Sequence, residues 1–227
     1  MIKKQKNITL VNMLKKYKYA IFDLDGTLID SMSAWKNVGK DYLTKRGIKP
    51  PDNLNEIISS MSMIESANYF KKEFKIRDCQ EQIISDTNKL IENKYKYELP
   101  LKPYVKEYLS HLEKNSTIMC VATATPVQFA ETALKRLEVL HYFSFIICCD
   151  QVRVGKSTPD IYYLALEKMK ANIKDTIVYE DADYAMRTAK NEGFYTIGVY
   201  DNYTCIPKEK IKLFCNIYID SFRCLLE

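Results

Sequence analysis

Two aspartates, Asp23 and Asp25, stand one residue apart behind a short apolar run in "YAIFDLDGTLID" (residues 19–30), with Gly26 directly after them. Carboxylates that close repel each other, and a cation between them relieves the repulsion. Other β-rich runs end in reactive residues too: Thr123 and Thr125 in "VATATP", Lys156 in "VGKSTPD", and Glu180 with Asp181 after 176–179. Carboxylates, one lysine and a hydroxyl gathered from separate strand ends make a hard-cation and phosphate site. In this reading Mg²⁺ is held by Asp23, the backbone carbonyl of Asp25 and Asp181. Glu180 is either a further metal ligand or only a hydrogen-bond acceptor. Thr123, the loop N–H at Ala124 and Lys156 hold the phosphoryl oxygens. Asp23, fixed at a strand end, is the expected nucleophile and forms an aspartyl-phosphate. Asp25, two residues on along an extended chain, is placed to protonate the leaving oxygen and then to activate water. Gly26 lets the chain turn sharply with no side chain in the way.

Such a site needs a scaffold that brings strand ends together. β-Rich runs recur at 117–123, 143–149, 176–181 and 195–200, and segments with helical spacing follow at 127–137, 159–169 and 182–192. Strands alternating with helices predict a parallel sheet covered on both faces. The run 19–24 is almost continuously apolar, which predicts a central strand. Between about 32 and 99 no comparable strand occurs, and the spacing predicts helices over 34–46, 54–61, 64–74 and 80–97. "KPPDN" (49–53) breaks this segment, and "LPLKP" (99–103) marks its exit. The expected architecture is therefore α/β: a doubly wound, Rossmann-like core from 1–31 and 101–227, with an all-helical cap domain inserted over 32–100.

Composition narrows the partners. The 227 residues are 47% hydrophobic and 28% charged, a globular balance. The formal charge of +5 comes from scattered Lys and Arg with no basic stripe, so nucleic acid is not an expected partner. Seven cysteines without CxxC spacing and with no secretory signal read as reduced thiols in a cytoplasmic protein. The apolar residues among 1–16, broken by Asn and Lys, predict a short helix packed on the core instead of a targeting peptide. No apolar run approaches the ~20 residues of a membrane span. The expected partner is a small-molecule phosphate ester bound by a monomer.

The motifs resemble those of the haloacid dehalogenase superfamily and, within it, the small phosphatases and phosphomutases related to β-phosphoglucomutase. "DLDGTLID" is similar to the family's nucleophile motif, "VATATP" to its Ser/Thr motif, "GKSTPDIY" to its lysine motif and "EDADYAMRTAKNEGF" to its acidic motif, in that order. The resemblance implies Mg²⁺-dependent phosphoryl transfer through Asp23, with Asp25 as acid/base, and a helical cap after the first motif. Halide-removing members lack the second aspartate, so the pattern implies phosphatase chemistry, with a phosphosugar mutase as the alternative. The chain departs from the pattern at Ser157, where a proline is usual, at Gln151, where a glutamate is common, and at Ala182 and Ala185, where serine and glycine are usual. In mutases of this type a histidine stands at the position of Trp35 and gates the acid/base. An indole N–H only donates, and "SSMSMIES" (59–66) carries no arginine for a second phosphate, so water is the expected phosphoryl acceptor.

Plainer roles are assigned elsewhere. "GKST" lacks the glycine of a P-loop, since Asp150 stands at that position. Thr125 is expected to cap the helix starting at Pro126, and Asp30, Ser31 and Ser33 to cap the first helix of the insertion. His111 and His141 are expected to be structural, Cys148 and Cys149 to be a buried apolar pair, and Tyr95, Tyr97 and Tyr104 mainly to pack. Trp35 is expected to point at the cleft between insertion and core.

Overall fold

Apolar strands need two covered faces, and the chain supplies them in a computed structural model that describes residues 12–204 and 206–226. Six parallel strands form one sheet: β1 (Tyr19–Phe22), β2 (Ile118–Thr123), β3 (Phe143–Cys148), β4 (Thr176–Glu180), β5 (Tyr195–Val199) and β6 (Ile217–Ile219). Their order is β3-β2-β1-β4-β5-β6, so β1 is central and pairs with β2 (Phe22 beside Val121) and β4 (Phe22 beside Tyr179). Side chains alternate across the sheet. Ala20 and Phe22 join one core cluster with Val121 and Tyr179, while Ile21 joins a second with Ala122 and Val178. Each of the larger ones, such as Ile21, Phe22, Val121 and Val178, contributes about 1.5–3 kcal/mol. Phe22 stacks on Tyr179 with ring centroids 4.2 Å apart.

Helices α1 (Met32–Trp35), α2 (Val38–Thr44), α3 (Leu54–Ile58), α4 (Met63–Glu73), α5 (Gln80–Lys89) and α6 (Glu92–Tyr97) fill the stretch between β1 and the next core helix. Then come α7 (Val105–Lys114), α8 (Val127–Arg136), α9 (Asp160–Met169), α10 (Asp183–Asn191) and α11 (Lys208–Ile211), with short 3₁₀ turns between elements. Residues of α7 and α8 enter the first core cluster and those of α9 the second, so helices cover both faces of the sheet. The insertion has a small core of its own, made by Tyr42, Leu43, Leu54, Ala67, Phe70 and Ile83.

The structure corrects several expected bounds. The helix predicted over 34–46 is two, broken where the Lys36 carbonyl accepts from the Asn55 side chain (2.6 Å). The helix predicted over 80–97 is also two. Tight i→i+3 bonds at Leu90 and Ile91 close α5 and turn the chain, so that Tyr95 of α6 stacks on Phe129 of α8. The helix expected over 54–61 stops at Ile58, and α4 begins one residue before the expected start, on a Ser62/Glu65 capping box. Helices α7 and α11 and the edge strand β6 are additions to the expected elements. Most of the predicted N-terminal helix lies outside the described residues, although Leu14 is buried in the core. The described cysteines are free thiols, with Cys148 and Cys149 buried, and Cys205 lies outside the described residues. Among the described residues no helix is long and apolar enough to cross a membrane.

Candidate active site

The carboxyl ends of β1, β2 and β4 meet at one spot, beside the loop that follows β3. Asp23 follows β1 and is hydrogen-bonded through its N–H to the Tyr179 carbonyl (3.0 Å), which fixes its backbone against β4. Glu180 ends β4 and Asp181 follows it. The three carboxylates are buried, and one oxygen from each lies within 4.8 Å of the others. Lys156, 4% exposed, reaches in from the loop before α9 and donates to Asp23 Oδ1 and to Glu180 Oε1 (2.7 Å). Tyr162 of α9 donates to the same Glu180 oxygen (2.9 Å). Glu180 thus belongs to the acidic group and is also the acceptor for Lys156.

Charge in this group is unbalanced. Burial pushes the Asp23, Glu180 and Asp181 carboxyls upward; Lys156 opposes this at Asp23 and Glu180, while Asp23 and Glu180 push Asp181 further up. Burial opposes the charge of Lys156, but the carboxylates outweigh it and hold its proton more tightly. One ammonium among three buried carboxylates leaves room for a further cation. Asp23 Oδ2 is buried with no hydrogen-bond partner, so it is available to a ligand. Hard oxygen donors in this number suit a divalent hard cation, so the residues present can hold a metal ion. Gly26 makes room for the group. It has φ +83°, and a Cβ there would lie 2.2 Å from Asp181 Oδ2.

The Asp25 carboxylate has its own set of donors beside this cluster. Ser31 Oγ donates to its Oδ1 (2.6 Å), Thr125 Oγ1 to its Oδ2 (2.6 Å), and the Tyr95 hydroxyl to Oδ1. Two expectations are corrected here. Thr125 does not cap α8, whose N-cap is Pro126 without a side-chain bond, and Ser31 occupies the N-cap position of α1 but gives its hydroxyl to Asp25. Both hydroxyls find a charged acceptor, which is the stronger partner. Thr123 is buried at the end of β2, and its Oγ1 accepts from the Thr125 N–H (3.0 Å), leaving its own proton free to be donated; half-buried Ala124 lies between them.

Three residues with positions in this site carried other expectations or none. Tyr95 was expected mainly to pack, yet its hydroxyl meets Asp25 from the last helix of the insertion. Thr27 is fully buried and its hydroxyl lies 3.4 Å from Asp181 Oδ1, directed at it; its place in "DGT" was the available signal. Lys102, within the breaker "LPLKP", donates to the Gly26 carbonyl and to that of Tyr200 (2.6 Å) and pairs with buried Asp201 (2.9 Å). It ties the loop after β1 to the loop after β5, and no local pattern announces that. Trp35 is half-buried and donates through its indole N–H to the Tyr95 oxygen (2.7 Å). His111 stacks on Tyr108 and His141 lies tilted against Tyr142, apart from these residues.

The insertion meets the core along a second seam. Glu65 Oε2 accepts from its own capping-box partner, the Ser62 N–H (2.8 Å), and from the Gly155 N–H next to Lys156 (2.8 Å). Tyr184 donates to the Ser59 carbonyl (2.7 Å). Gly155 is packed so closely that a Cβ would lie 2.1 Å from the Ser60 carbonyl oxygen.

Known proteins share this arrangement of chain. A family profile described as haloacid dehalogenase-like hydrolase matches residues 20–199. The chain is 28% identical over 190 residues to a phosphorylated carbohydrates phosphatase of Thermotoga maritima, covering 78% of this chain and 82% of the relative. It is 26% identical over 196 residues to a fructose-1-phosphate phosphatase of Escherichia coli, covering 82% and 98%. The crystal structure of CbbY from Rhodobacter sphaeroides in complex with phosphate has the same fold, with a TM-score of 0.77 at 21% identity over 91% of this chain and 95% of that one.

Proposed function

The chain belongs to the haloacid dehalogenase-like hydrolases, and on that footing we propose that it is a Mg²⁺-dependent phosphatase of small phosphorylated metabolites, sugar phosphates first among them. One observation carries the reading: Asp23, Lys156, Glu180 and Asp181 converge in a buried cluster whose Asp23 Oδ2 has no partner. Two relatives whose names specify phosphorylated carbohydrates and fructose 1-phosphate support the substrate class.

Asp23, Asp181, the Asp25 carbonyl and Glu180 are the residues that would hold the metal ion, and Mg²⁺ bound there would supply charge neutralisation at the phosphoryl group. Lys156 adds a second cation, and the Thr123 hydroxyl with the Ala124 N–H receives the remaining phosphoryl oxygens. An Asp23 oxygen attacks phosphorus in line, the bond to the ester oxygen breaks, and that oxygen takes the Asp25 proton as the alcohol leaves. Asp25, now a carboxylate, takes a proton from water as its oxygen attacks phosphorus. The Asp23 acyl–phosphate linkage then breaks and inorganic phosphate departs. The insertion acts as a cap that excludes bulk water and selects the leaving group.

The test is phosphate release from a panel of phosphorylated metabolites, with Mg²⁺ and with EDTA; activity undiminished in EDTA overturns the reading. Phosphorus NMR on glucose 1-phosphate anomers checks the acceptor. Free phosphate should appear in step with substrate loss, and faster formation of an isomeric sugar phosphate would assign a mutase.

A further inference from the structure

The donors around Asp25 form a chain whose direction is fixed by chemistry. An indole N–H only donates, so the Tyr95 oxygen accepts from Trp35 (2.7 Å), and the single tyrosine proton is left for a partner beyond. Two acceptors lie there: Asp25 Oδ1, and Thr125 Oγ1 at 3.1 Å, whose own proton is committed to Asp25 Oδ2 (2.6 Å); the carboxylate is the nearer and stronger acceptor, so the Tyr95 proton goes to Asp25 Oδ1. Tyr95 itself has no room to choose another rotamer. It is fully buried, stacked on Phe129 at 5.7 Å and edge-on to Trp35 at 6.4 Å. Arg136 of α8 donates to the Tyr95 carbonyl (3.2 Å) and so fixes its backbone as well.

The two insertion members of this relay flank the two connections between insertion and core. Trp35 closes the first helix after the incoming connection, and Tyr95 belongs to the last helix before the outgoing one. The connections are paired with each other: the Asp30 N–H donates to the Pro100 carbonyl (3.0 Å), and Ile29 bridges Leu101. The Trp35–Tyr95 bond joins the two sides of the insertion a second time, and the Tyr95 hydroxyl ends on Asp25.

We infer that Tyr95, oriented by Trp35, is a positioning residue that holds the Asp25 carboxylate in its working orientation and makes that orientation depend on the seating of the insertion. The inference rests on the proposed acid/base role of Asp25. It assigns to the insertion a part in the chemical step, in addition to any choice of substrate.

The test uses the full-length protein and two esters: fructose 1-phosphate, whose alkoxide needs a proton to leave, and 4-nitrophenyl phosphate, whose phenolate does not. Tyr95→Phe keeps the ring and removes the donor. It should lower kcat on fructose 1-phosphate about 10- to 100-fold with KM within about twofold, and leave the single-turnover release of 4-nitrophenolate within about threefold of wild type. Trp35→Phe leaves the Tyr95 proton in place but frees its direction, and should give a smaller loss with the same leaving-group dependence. Equal losses on both esters with a lowered melting temperature would mean a structural role, and kcat within twofold on both would remove Tyr95 from the reaction; either outcome overturns the inference. Asp25→Asn is measured beside them. If it shows the leaving-group dependence and Tyr95→Phe does not, the relay fails while the phosphatase reading stands; if Asp25→Asn shows none, the acid/base assignment fails and the relay with it.

Discussion

Around the sheet, Ile21, Phe22, Val121 and Val178 are wholly buried and packed into two clusters on opposite faces. In the insertion, one small cluster of buried side chains holds the four helices α2–α5 together, while Trp35 of α1 and Tyr95 of α6 pack into the core's first cluster. The sheet fixes each strand through backbone ladders to neighbours far away in sequence, so the residues at its strand ends inherit positions accurate enough for chemistry. The helices of the insertion are fixed mostly by side-chain packing and by a few bonds to the core, at Tyr95, Tyr184 and Glu65. Rigid scaffolding serves reacting atoms. On the proposed function, the lighter attachment of the insertion serves a part that admits and releases a substrate.

The largest expected effect tests the core's side of this contrast. Asp23→Asn removes the oxygen proposed as nucleophile at the end of β1 and should lower phosphate release by on the order of 10⁴-fold or more with unchanged circular dichroism. A mutant retaining a tenth of the activity would break the assignment. Asp181→Asn should come next. It weakens the acidic group without touching Asp23, so the Mg²⁺ concentration for half-maximal activity should rise at least about tenfold, and an unchanged metal titration would remove Asp181 from the site. Gly155→Ala tests the seam with the insertion. Its Cβ would collide with the Ser60 carbonyl at 2.1 Å, so turnover should fall about 10- to 100-fold through misplacement of the insertion while the metal requirement stays put. If the metal requirement moved as well, core and insertion would not be separable in this way.

Asp150→Asn should have the smallest effect. This residue follows β3 at the seam with α4, accepts from the Ile64 N–H, and leaves Oδ1 buried without a partner. Burial raises its carboxyl above the ordinary range, so the folded chain holds this proton more tightly than the unfolded chain does. Its contribution to stability is therefore full below the unfolded value and is lost as pH rises through the folded one. Asparagine keeps an acceptor for Ile64 and carries no charge, so Tm should rise by about 2–4 °C at pH 7 and the gain should fade in acid. A destabilised variant at neutral pH would show that the charge at the α4 N-terminus matters more than its burial.

What could be read from the residues follows the same division. The strands were legible because parallel, doubly covered strands must be apolar throughout, as in 19–24, and because reactive residues at their ends stand out against that background. Asp23, Lys156, Glu180 and Asp181 were found this way. The breaks at Lys36 and at Leu90–Ile91 were not, because each is caused by a partner remote in sequence: Asn55 for one, and the α8 surface carrying Phe129 for the other. Thr125 and Ser31 were given local capping roles because a local pattern cannot reveal that Asp25 offers a better acceptor. Tyr95 hid among many tyrosines, and only the fold singles out its hydroxyl. β6 is three residues long and lies at an edge, below what alternation can signal.

The pairing of the two connections, through Asp30 with Pro100 and Ile29 with Leu101, puts the entry and exit of the insertion side by side. In engineering terms the insertion is a socketed part. The central strand and the rest of the sheet would remain covalently continuous if the helices were cut out and the gap closed by a tight hairpin, and a different helical unit with adjacent ends would fit the same socket. Diversification of such a protein would then proceed by exchange of the whole part, with the acidic cluster left untouched beneath it.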